Sequence, residues 1–255
     1  MVPNRLLERL RQDRVCLGLA NTFPAAGIIE CMGRGGDFIW VDGQHGQFSY
    51  EGLLHAIRAA AAVDVEVLLR VPGHEHSTLC LHADMGPAAI MVPMVNSAAE
   101  AEQVVRGLRF PPRGLRSFGG RRLADLYGRD YPWERELAVV VQIETTQAVD
   151  NAAAIAAVDG VDCLFFGPDD MKMSLGIPMD VAITGEPRLQ RALEQTAQAA
   201  RAHGKAAGCV CATPELARFA VDHGVRLLAG GGDAGLLRAA AAARLCELRN
   251  AVGAL

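Results

Sequence analysis

The segment of residues 161–176, VDCLFFGPDDMKMSLG, restricts the possible folds of this chain more than any other segment. An apolar run of strand length ends there at Gly167-Pro168, and Asp169 and Asp170 follow at once. A strand that is apolar on both faces is typical of parallel sheets, which helices cover on both sides. Acidic residues at its carboxyl end occupy the position where α/β folds place their chemistry.

A second apolar run, residues 137–143 (LAVVVQI), ends in the same way, with Glu144 directly after it. The carboxyl ends of parallel strands meet at one edge of a sheet, so Glu144 and Asp170 are expected to point to one place. Carboxylate oxygens are the ligands that hard divalent cations such as Mg²⁺ and Mn²⁺ prefer, and two protein ligands leave coordination positions for substrate and water. The two acids therefore predict a divalent metal site at which substrate binds.

Strand-length apolar runs recur along the chain and alternate with helical patterns. Ser49 and Ser97 stand where capping residues are expected, and Pro187 and Pro214 stand where helices begin. Eight strand–helix units predict a TIM (β/α)₈ barrel, and a hydrophobic fraction of 51% is enough for residues 1–255 to form a single domain. The predicted strands cover residues 15–20, 38–42, 65–71, 88–95, 137–143, 161–166, 205–211 and 225–230.

The alternative architecture is an open, doubly wound sheet that binds a nucleotide. Such a fold needs a glycine-rich turn after its first strand, whereas the glycines of residues 33–36 follow a helix and are interpreted as a helix stop. A second glycine run, residues 230–232, follows the eighth strand, where barrels commonly bind phosphate. Asp233 would place a negative charge there, so an unphosphorylated substrate is expected.

Residues 109–136 form the longest stretch without clear periodicity. A loop of this length within a compact domain is usually functional. Arg121 and Arg122 within it have two interpretations, since they could anchor an acidic acceptor or only solvate the loop.

Charge and cysteine content bear on partners and location. The net charge is −4, the pI is about 6.0 and no basic run occurs, so neither nucleic acid nor an anionic membrane is expected as a partner. The seven cysteines are scattered and odd in number, which predicts buried free thiols in a reducing cytoplasm. Cys209 and Cys211 lack metal-site spacing and are expected to face opposite sides of a strand, so no zinc site is predicted.

The first helix, residues 1–14, lacks the apolar core of a signal peptide, and a cytoplasmic protein is expected.

Polar residues also follow the second and third strands, at the same edge as the two acids. Asp42 and His45 follow one strand, and Arg70 lies at the end of the other. Arg70 could stabilise an enolate oxygen as its charge develops. A histidine titrates near neutral pH, so His45 could move a proton while Asp42 holds its tautomer. With a metal acting as Lewis acid on the keto group of a 2-oxo acid, these residues indicate a carbon–carbon lyase.

Five motifs, VDGQHG, LLRVP, IMVPMV, VQIET and GPDDMKMSLG, occur in this order at predicted strand ends. Through them nearly the whole chain resembles the HpcH/HpaI family of metal-dependent, class II pyruvate aldolases. The resemblance implies cleavage of a 4-hydroxy-2-oxo acid to pyruvate and an aldehyde. It implies His45 as the base with Asp42 beside it, Arg70 on the pyruvate oxygen, and Glu144 and Asp170 as ligands of Mg²⁺ or Mn²⁺, with Co²⁺ as a further candidate.

The resemblance has further implications for substrate binding and assembly. It makes Asp84 the aspartate that reaches a neighbouring subunit's active site, and it implies hexamers with an exchanged C-terminal helix. The backbone N–H groups of Asp169 and Asp170 are expected to hold the pyruvate carboxylate. The substrate-binding residues that it implies are Arg70, Gln142, Gly167, Pro168 and Asp169.

The chain departs from the family pattern at three positions. Gln44 stands where an acid is common, Asp169 where a small or neutral residue is usual, and Lys172 where a small residue is usual. Asp169 adds negative charge near the expected carboxylate, and Lys172 could compensate for it. Two other functions remain open: an acyl-CoA lyase of the citrate lyase β and malyl-CoA lyase kind, which the VDGQHG loop disfavours, and a catalytically silent barrel that binds a metabolite.

Overall fold

The computed structural model of the chain describes residues 3–134 and 136–253. Eight parallel strands pair in the order of the sequence, and the eighth pairs with the first, which closes the sheet into a barrel. The predicted TIM (β/α)₈ barrel is therefore confirmed. The strands are β1 (Cys16–Asn21), β2 (Phe38–Asp42), β3 (Glu66–Arg70), β4 (Ala89–Val92), β5 (Ala138–Ile143), β6 (Cys163–Phe166), β7 (Ala206–Val210) and β8 (Leu227–Gly232).

Helices cover the outside of the barrel, and several begin where the sequence supplies a cap. The side chains of Ser49 and Ser97 accept hydrogen bonds from the backbone N–H groups of Gly52 and Glu100, as expected of capping residues. The helices are α1 (Arg5–Arg11), α2 (Ala26–Met32), α3 (Tyr50–Ala62), α4 (His76–Ala83), α5 (Ala98–Leu108), α6 (Arg121–Tyr127), α7 (Tyr131–Glu134), α8 (Thr146–Asp150), α9 (Ala152–Ala156), α10 (Pro168–Leu175), α11 (Pro187–Ala202), α12 (Pro214–Asp222) and α13 (Asp233–Val252). In the part of the chain that the structure describes, none of them combines the length and hydropathy needed to cross a membrane.

The core has two layers because most of the strands are buried on both faces. Outward-facing strand residues pack against the helices, and inward-facing residues fill the barrel. α1 closes the end where the strands begin, with Leu6, Leu7 and Leu10 buried. Inside the barrel the rings of Trp40 and Phe165 meet edge to face, with centroids 5.6 Å apart. This double burial is the reason that the strands appear in the sequence as continuous apolar runs.

Some predicted boundaries differ from the structure. β4 ends at Val92, earlier than expected, because Pro93 cannot donate to the sheet ladder. The expected loop of residues 109–136 contains the short helices α6 and α7. Tyr131 stabilises this segment, since its buried ring stacks on Phe118 and its hydroxyl donates to the carbonyl oxygen of Gly119 at 2.6 Å.

The cysteines differ from expectation in two respects. All seven are free, as predicted, but Cys31 and Cys246 are exposed. Cys209 and Cys211 are both buried in the layer between the strands and the helices. The prediction that they face opposite sides is wrong, because residues two apart on a strand share a face.

α13 exposes most of its side chains to solvent. Only Asp233, its first residue, is buried, and its main contacts with the barrel are to β1 and β8. The helix therefore presents an apolar surface that no described part of the chain covers. Its large exposed apolar residues are Leu236, Leu237, Leu245, Leu248 and Val252.

Candidate active site

Asp42 and Arg70 form a tight ion pair at the carboxyl ends of β2 and β3. They are register partners on neighbouring strands, so both side chains reach the mouth of the barrel. Arg70 donates from Nε to Oδ1 of Asp42 at 2.9 Å and from Nη2 to Oδ2 at 2.6 Å, and both residues are buried. Burial disfavours the charged carboxyl, but the hydrogen bonds and charge of Arg70 outweigh it and hold the pKa of Asp42 below its usual value.

His45 lies in the turn after β2, and Asp42 fixes that turn. Oδ1 of Asp42 accepts hydrogen bonds from the backbone N–H groups of Gln44 at 3.1 Å and His45 at 3.2 Å. Asp42 therefore contacts the main chain of His45 and not its imidazole, in contrast to the expectation that it holds the tautomer. The reason is that Arg70 and the turn already engage both carboxylate oxygens. His45 is exposed, and no hydrogen bond joins its imidazole to a described residue.

Glu144 directly follows β5 and is 2% exposed. Its Oε2 accepts a hydrogen bond of 2.9 Å from the backbone N–H of Met94, in the segment after β4. A Cβ at position 167 would lie 2.6 Å from its Oε1, so only glycine leaves room for the carboxylate beside the start of α10. The ends of β4, β5 and β6 thus surround this one carboxylate.

The structure also brings Asp170 close to Glu144. Burial, followed by the negative charge of Asp170, raises the pKa of Glu144 above its usual value, although the N–H of Met94 opposes this. Two carboxylates that repel each other in this way are stabilised by a cation, so the pair fits a divalent metal. The described residues contain no group of three or more His, Cys, Asp or Glu side chains that could hold a metal.

The first turn of α10 completes this side of the site. Gly167 is the N-cap, Pro168 is the first helical residue, and Asp169 and Asp170 follow, both exposed. The backbone N–H groups of a first helical turn have no partner within the helix and favour a bound anion. This turn is therefore able to hold a carboxylate beside the acidic pair.

Lys172 offsets the charge of Asp169. Its Nζ lies 3.3 Å from Oδ1 of Asp169 and donates to the carbonyl oxygen of Met179 at 2.9 Å. The lysine is buried, whereas the side chain of Asp169 is 71% exposed. The two departures from the family pattern thus form one ion pair within the same helix.

Two buried polar atoms inside the barrel have no hydrogen-bond partner among the described residues. They are Oε1 of Gln142, on β5, and Nε1 of Trp40, on β2. Buried polar groups are normally paired, so each of these atoms is available to a water molecule or a substrate. For Gln142 this agrees with the predicted role in substrate binding.

Asp84 lies apart from the other candidate residues. It follows α4 and precedes β4, so it leads into the end of the barrel where the strands begin. Nη2 of Arg116 donates to its Oδ1 at 2.7 Å, and Gly120 packs against its carboxyl group. Within one subunit Asp84 is therefore not part of the site, and its contact with a neighbour's site stays a prediction.

Arg121 and Arg122 also lie away from the site. Both are on α6, in the segment that joins α5 to the start of β5. Nε of Arg121 donates to Asp125 at 2.9 Å, and Nη1 of Arg122 donates to the carbonyl oxygen of Met85 at 3.0 Å. These contacts favour the structural interpretation of the two arginines.

Met94 was expected only to fill the core or line the pocket, and its contact with Glu144 was not predicted. Its φ of +55° is uncommon for a residue other than glycine, and this conformation aims its N–H at Glu144. Strained backbone of this kind is concentrated at functional sites. The available signal was Pro93, which ends the strand just before it.

Asp233 occupies the place where barrels commonly bind phosphate. It is fully buried at the start of α13 and joins the loop after β1 to the end of β8. The prediction of an unphosphorylated substrate rests on this negative charge and stays a prediction. Oδ2 accepts from Nδ2 of Asn21 and the N–H groups of Thr22 and Phe23, and Oδ1 accepts from Oγ1 of Thr22 and the N–H of Ala234, all at 2.7–2.9 Å.

Known proteins are similar to this chain in sequence and in fold. The 4-hydroxy-2-oxovalerate aldolase of Rhodococcus jostii (strain RHA1) is 37% identical over 96% of this chain and 97% of its own length. The 2-keto-3-deoxy-L-rhamnonate aldolase of Klebsiella pneumoniae subsp. pneumoniae is 35% identical over 98% of this chain and 95% of its own. A crystal structure of a HpcH/HpaI aldolase/citrate lyase family protein from Burkholderia cenocepacia J2315 superposes with a TM-score of 0.90 and 32% identity, over 97% of this chain and all of the other.

The sequence pattern of one family covers most of the barrel. It matches residues 20–240, which include β2 to β8 and every residue of the barrel mouth described above. The chain belongs to the HpcH/HpaI aldolase/citrate lyase family.

Proposed function

We propose that this protein cleaves a 4-hydroxy-2-oxo acid to pyruvate and an aldehyde, reversibly and with a divalent metal as cofactor. The observation that carries the proposal is the barrel mouth, where the Arg70–Asp42 ion pair and the Glu144–Asp170 acidic pair lie at the same end of the barrel. The two named relatives are both aldolases, which supports a reaction of the same kind.

Glu144 and Asp170 would hold the metal through carboxylate oxygens, which suit Mg²⁺ or Mn²⁺ and are compatible with Co²⁺. When bound, such a cation polarises the keto group of the substrate as a Lewis acid. Met94 keeps Glu144 in position through its N–H. The N–H groups of Asp169 and Asp170 bind the substrate carboxylate, and Lys172 offsets the negative charge that Asp169 adds there.

Arg70 binds the oxygen that becomes negatively charged as the carbon–carbon bond breaks. An arginine has five N–H donors, and Asp42 engages the Nε donor and one on Nη2, so others remain for this oxygen. Because Asp42 fixes the guanidinium before substrate binds, little reorganisation is needed as the charge develops. Gln142 contributes a further polar contact from inside the barrel.

His45 takes the proton of the 4-hydroxyl group during cleavage and returns it in the reverse addition. Its exposure at the barrel mouth leaves the imidazole open to substrate. Asp42 contributes by holding the turn that carries His45.

Metal dependence and the identity of the aldehyde are tested in one assay. Pyruvate is incubated with a panel of aldehydes and Mg²⁺, Mn²⁺ or Co²⁺, and the adducts are identified by mass spectrometry. We expect EDTA to abolish activity and added metal to restore it. Turnover by metal-free protein, or a lysine adduct trapped by borohydride, would contradict the proposal because both indicate Schiff-base chemistry.

A second assay separates the proton transfer from the stabilisation of the enolate. Cleavage needs both, whereas decarboxylation of oxaloacetate needs only the enolate to be stabilised. The His45→Ala variant should lose aldol cleavage by about 10²- to 10⁴-fold and keep much of any decarboxylation. His55→Ala, on the exposed face of α3, is the control and should keep both activities. Equal losses in His45→Ala would show that His45 acts on the enolate instead.

We further propose that the protein assembles as a hexamer in the cytoplasm, with α13 exchanged between subunits and Asp84 reaching a neighbour's site. The exposed apolar residues of α13 support an oligomer, and seven free cysteines support a reducing compartment. Light scattering should give a mass well above that of a dimer. A fully active monomer at micromolar concentration would exclude a contribution from a neighbour's Asp84.

A further inference from the structure

The indole of Trp40 lies against the guanidinium of Arg70. Cζ of Arg70 is 4.8 Å from the centroid of the ring, which is within the range of a cation–π interaction. Trp40 precedes Asp42 by two residues on β2, so the two side chains face the same side of the strand. The same guanidinium is therefore contacted at its face by the indole and at its edge by the carboxylate.

The indole is itself held by a second ring. Phe165, on β6, meets it edge to face at 5.6 Å between centroids. A Cβ at position 208 on β7 would lie 2.4 Å from Cδ2 of Phe165, so Gly208 leaves the space that this ring occupies. A continuous series of contacts thus crosses the barrel interior from Gly208 through Phe165 and Trp40 to Arg70.

Among the described residues, the indole makes its specific contacts through its ring. Nε1 of Trp40 is buried and has no hydrogen-bond partner among the described residues. An aliphatic side chain such as Leu68, the register partner of Trp40 on β3, fills the barrel interior without a polar atom that needs a hydrogen-bond partner. The flat face against Arg70 is the property that an aliphatic residue lacks.

We propose that Trp40 is a positioning residue that sets the tilt of the Arg70 guanidinium for stabilisation of the enolate. The inference rests on the proposed function, because it assigns Trp40 a role in that reaction through Arg70. Asp42 fixes one edge of the guanidinium, and the indole stops it from tilting about that edge. The donors that Asp42 does not use then stay directed at the enolate oxygen.

Two substitutions separate the face of the ring from its N–H group. Trp40→Phe keeps a flat ring and removes the donor, whereas Trp40→Leu removes the face and stays apolar. For both cleavage and oxaloacetate decarboxylation we expect kcat to fall about tenfold in Trp40→Leu, with little change in KM, and to stay within about twofold of wild type in Trp40→Phe. Phe38→Leu, which removes a ring from the same strand inside the barrel, is the control and should keep kcat while lowering Tm.

The kinetic outcomes decide between the alternatives. Equal losses in Trp40→Phe and Trp40→Leu would overturn the proposal, because the N–H would then be the important group. An unchanged kcat in Trp40→Leu would overturn it as well. Absence of both activities in the wild-type protein would count against the proposed function itself.

A binding measurement tests the inference without turnover. The chain has two tryptophans, Trp40 and Trp133, so in a Trp133→Phe background the fluorescence reports on Trp40 alone. Oxalate, an analogue of the pyruvate enolate, is titrated in the presence of Mn²⁺. We expect the emission to change on binding and the change to be lost in Arg70→Ala. An emission that does not respond to bound oxalate would overturn the proposal, whether or not the protein is active.

Discussion

A buried arginine–aspartate pair lies at each end of the barrel, and the two pairs are built differently. At the carboxyl end, Arg70 holds Asp42 through hydrogen bonds of 2.6 and 2.9 Å. At the amino end, Nη2 of Arg109 donates to Oδ2 of Asp162 over a longer distance, 3.4 Å, and the same guanidinium also donates to main-chain carbonyl oxygens, such as that of Leu137 at 2.5 Å. Both arginine side chains are 10% exposed, so burial alone does not distinguish the pairs.

The pKa values of the two aspartates move in opposite directions. Burial raises the pKa of Asp162, and the N–H of Val139 and the charge of Arg109 do not overcome it. At Asp42 the contacts of Arg70 do overcome burial. We infer from the comparison that a short, two-bond pair preorganises Arg70 for the charge of a substrate, whereas Arg109, which donates to backbone carbonyl oxygens, stabilises the fold.

The largest expected effect is on catalysis at the carboxyl end. Arg70→Ala should lower kcat for both cleavage and oxaloacetate decarboxylation by about 10²- to 10³-fold, because the enolate oxygen loses its preorganised donors. Arg70→Lys should restore little, since an ammonium cannot make the same pair of bonds to Asp42. Steady-state kinetics at saturating Mn²⁺ measures both. Activity within tenfold of wild type in Arg70→Ala would show that Arg70 is not needed to stabilise the enolate, and the proposed difference in function between Arg70 and Arg109 would then be wrong.

The next effect is on stability at the amino end. Arg109→Met should lower the free energy of unfolding by about 3–5 kcal/mol, because Asp162 loses its buried partner and backbone carbonyls lose a donor. The folded variant should keep wild-type kcat. Urea unfolding and kinetics measure the two properties, with Arg113→Met as the control because its side chain is 62% exposed. A large loss of kcat in well-folded Arg109→Met would contradict the division of roles.

A pH series distinguishes the two aspartates by the sign of their contribution. The lowered pKa of Asp42 means that its stabilisation is present above the unfolded-state pKa of about 3.9 and is lost as the pH falls through the folded-state value. The raised pKa of Asp162 means that the folded state loses stability as the pH rises from about 3.9 to that raised value.

The free energy of unfolding of wild type minus that of Asp42→Asn should therefore increase with pH. The free energy of unfolding of wild type minus that of Asp162→Asn should decrease with pH. Urea unfolding of metal-free protein between about pH 3 and pH 7 gives both slopes. Slopes of the same sign would show that the two carboxyls are held in the same way.

The smallest effect is expected at the exposed margin of the amino end. Arg11 forms two hydrogen bonds of 2.7 Å with Glu136, but the two side chains are 54% and 39% exposed. Arg11→Ala should lower the free energy of unfolding by at most about 1 kcal/mol, because solvent screens exposed pairs. The same urea assay checks it. If Arg11→Ala lowered the free energy of unfolding as much as Arg109→Met does, burial would not be what determines how much an ion pair contributes to stability.

Much of the barrel was predictable because double burial leaves a continuous apolar run in the sequence. The second strand was predicted at residues 38–42 and is Phe38–Asp42. The parallel topology then implied that Asp42, Arg70, Glu144 and Asp170 lie at one end, and they do. The prediction that Cys209 and Cys211 face opposite sides was wrong, because residues two apart on a strand share a face.

The partners within the mouth were harder to predict. Asp42 was expected to hold the imidazole of His45, yet it binds Arg70 and the main chain of the turn. The contact of the Met94 N–H with Glu144 and the ion pair of Asp84 with Arg116 were also not predictable, because neither a left-handed backbone conformation nor a long-range ion pair leaves a periodic pattern in the sequence.

Local periodicity and chain order are enough to predict the (β/α)₈ architecture and the charged residues at the strand ends. Which atoms pair with each other depends on the three-dimensional packing of the barrel. The register of β2 on β3 places Asp42 beside Arg70, 28 residues away, and the closed barrel brings Phe165 against Trp40. Such contacts depend on distances between strands that closure of the sheet sets, and residue order along one strand does not encode them.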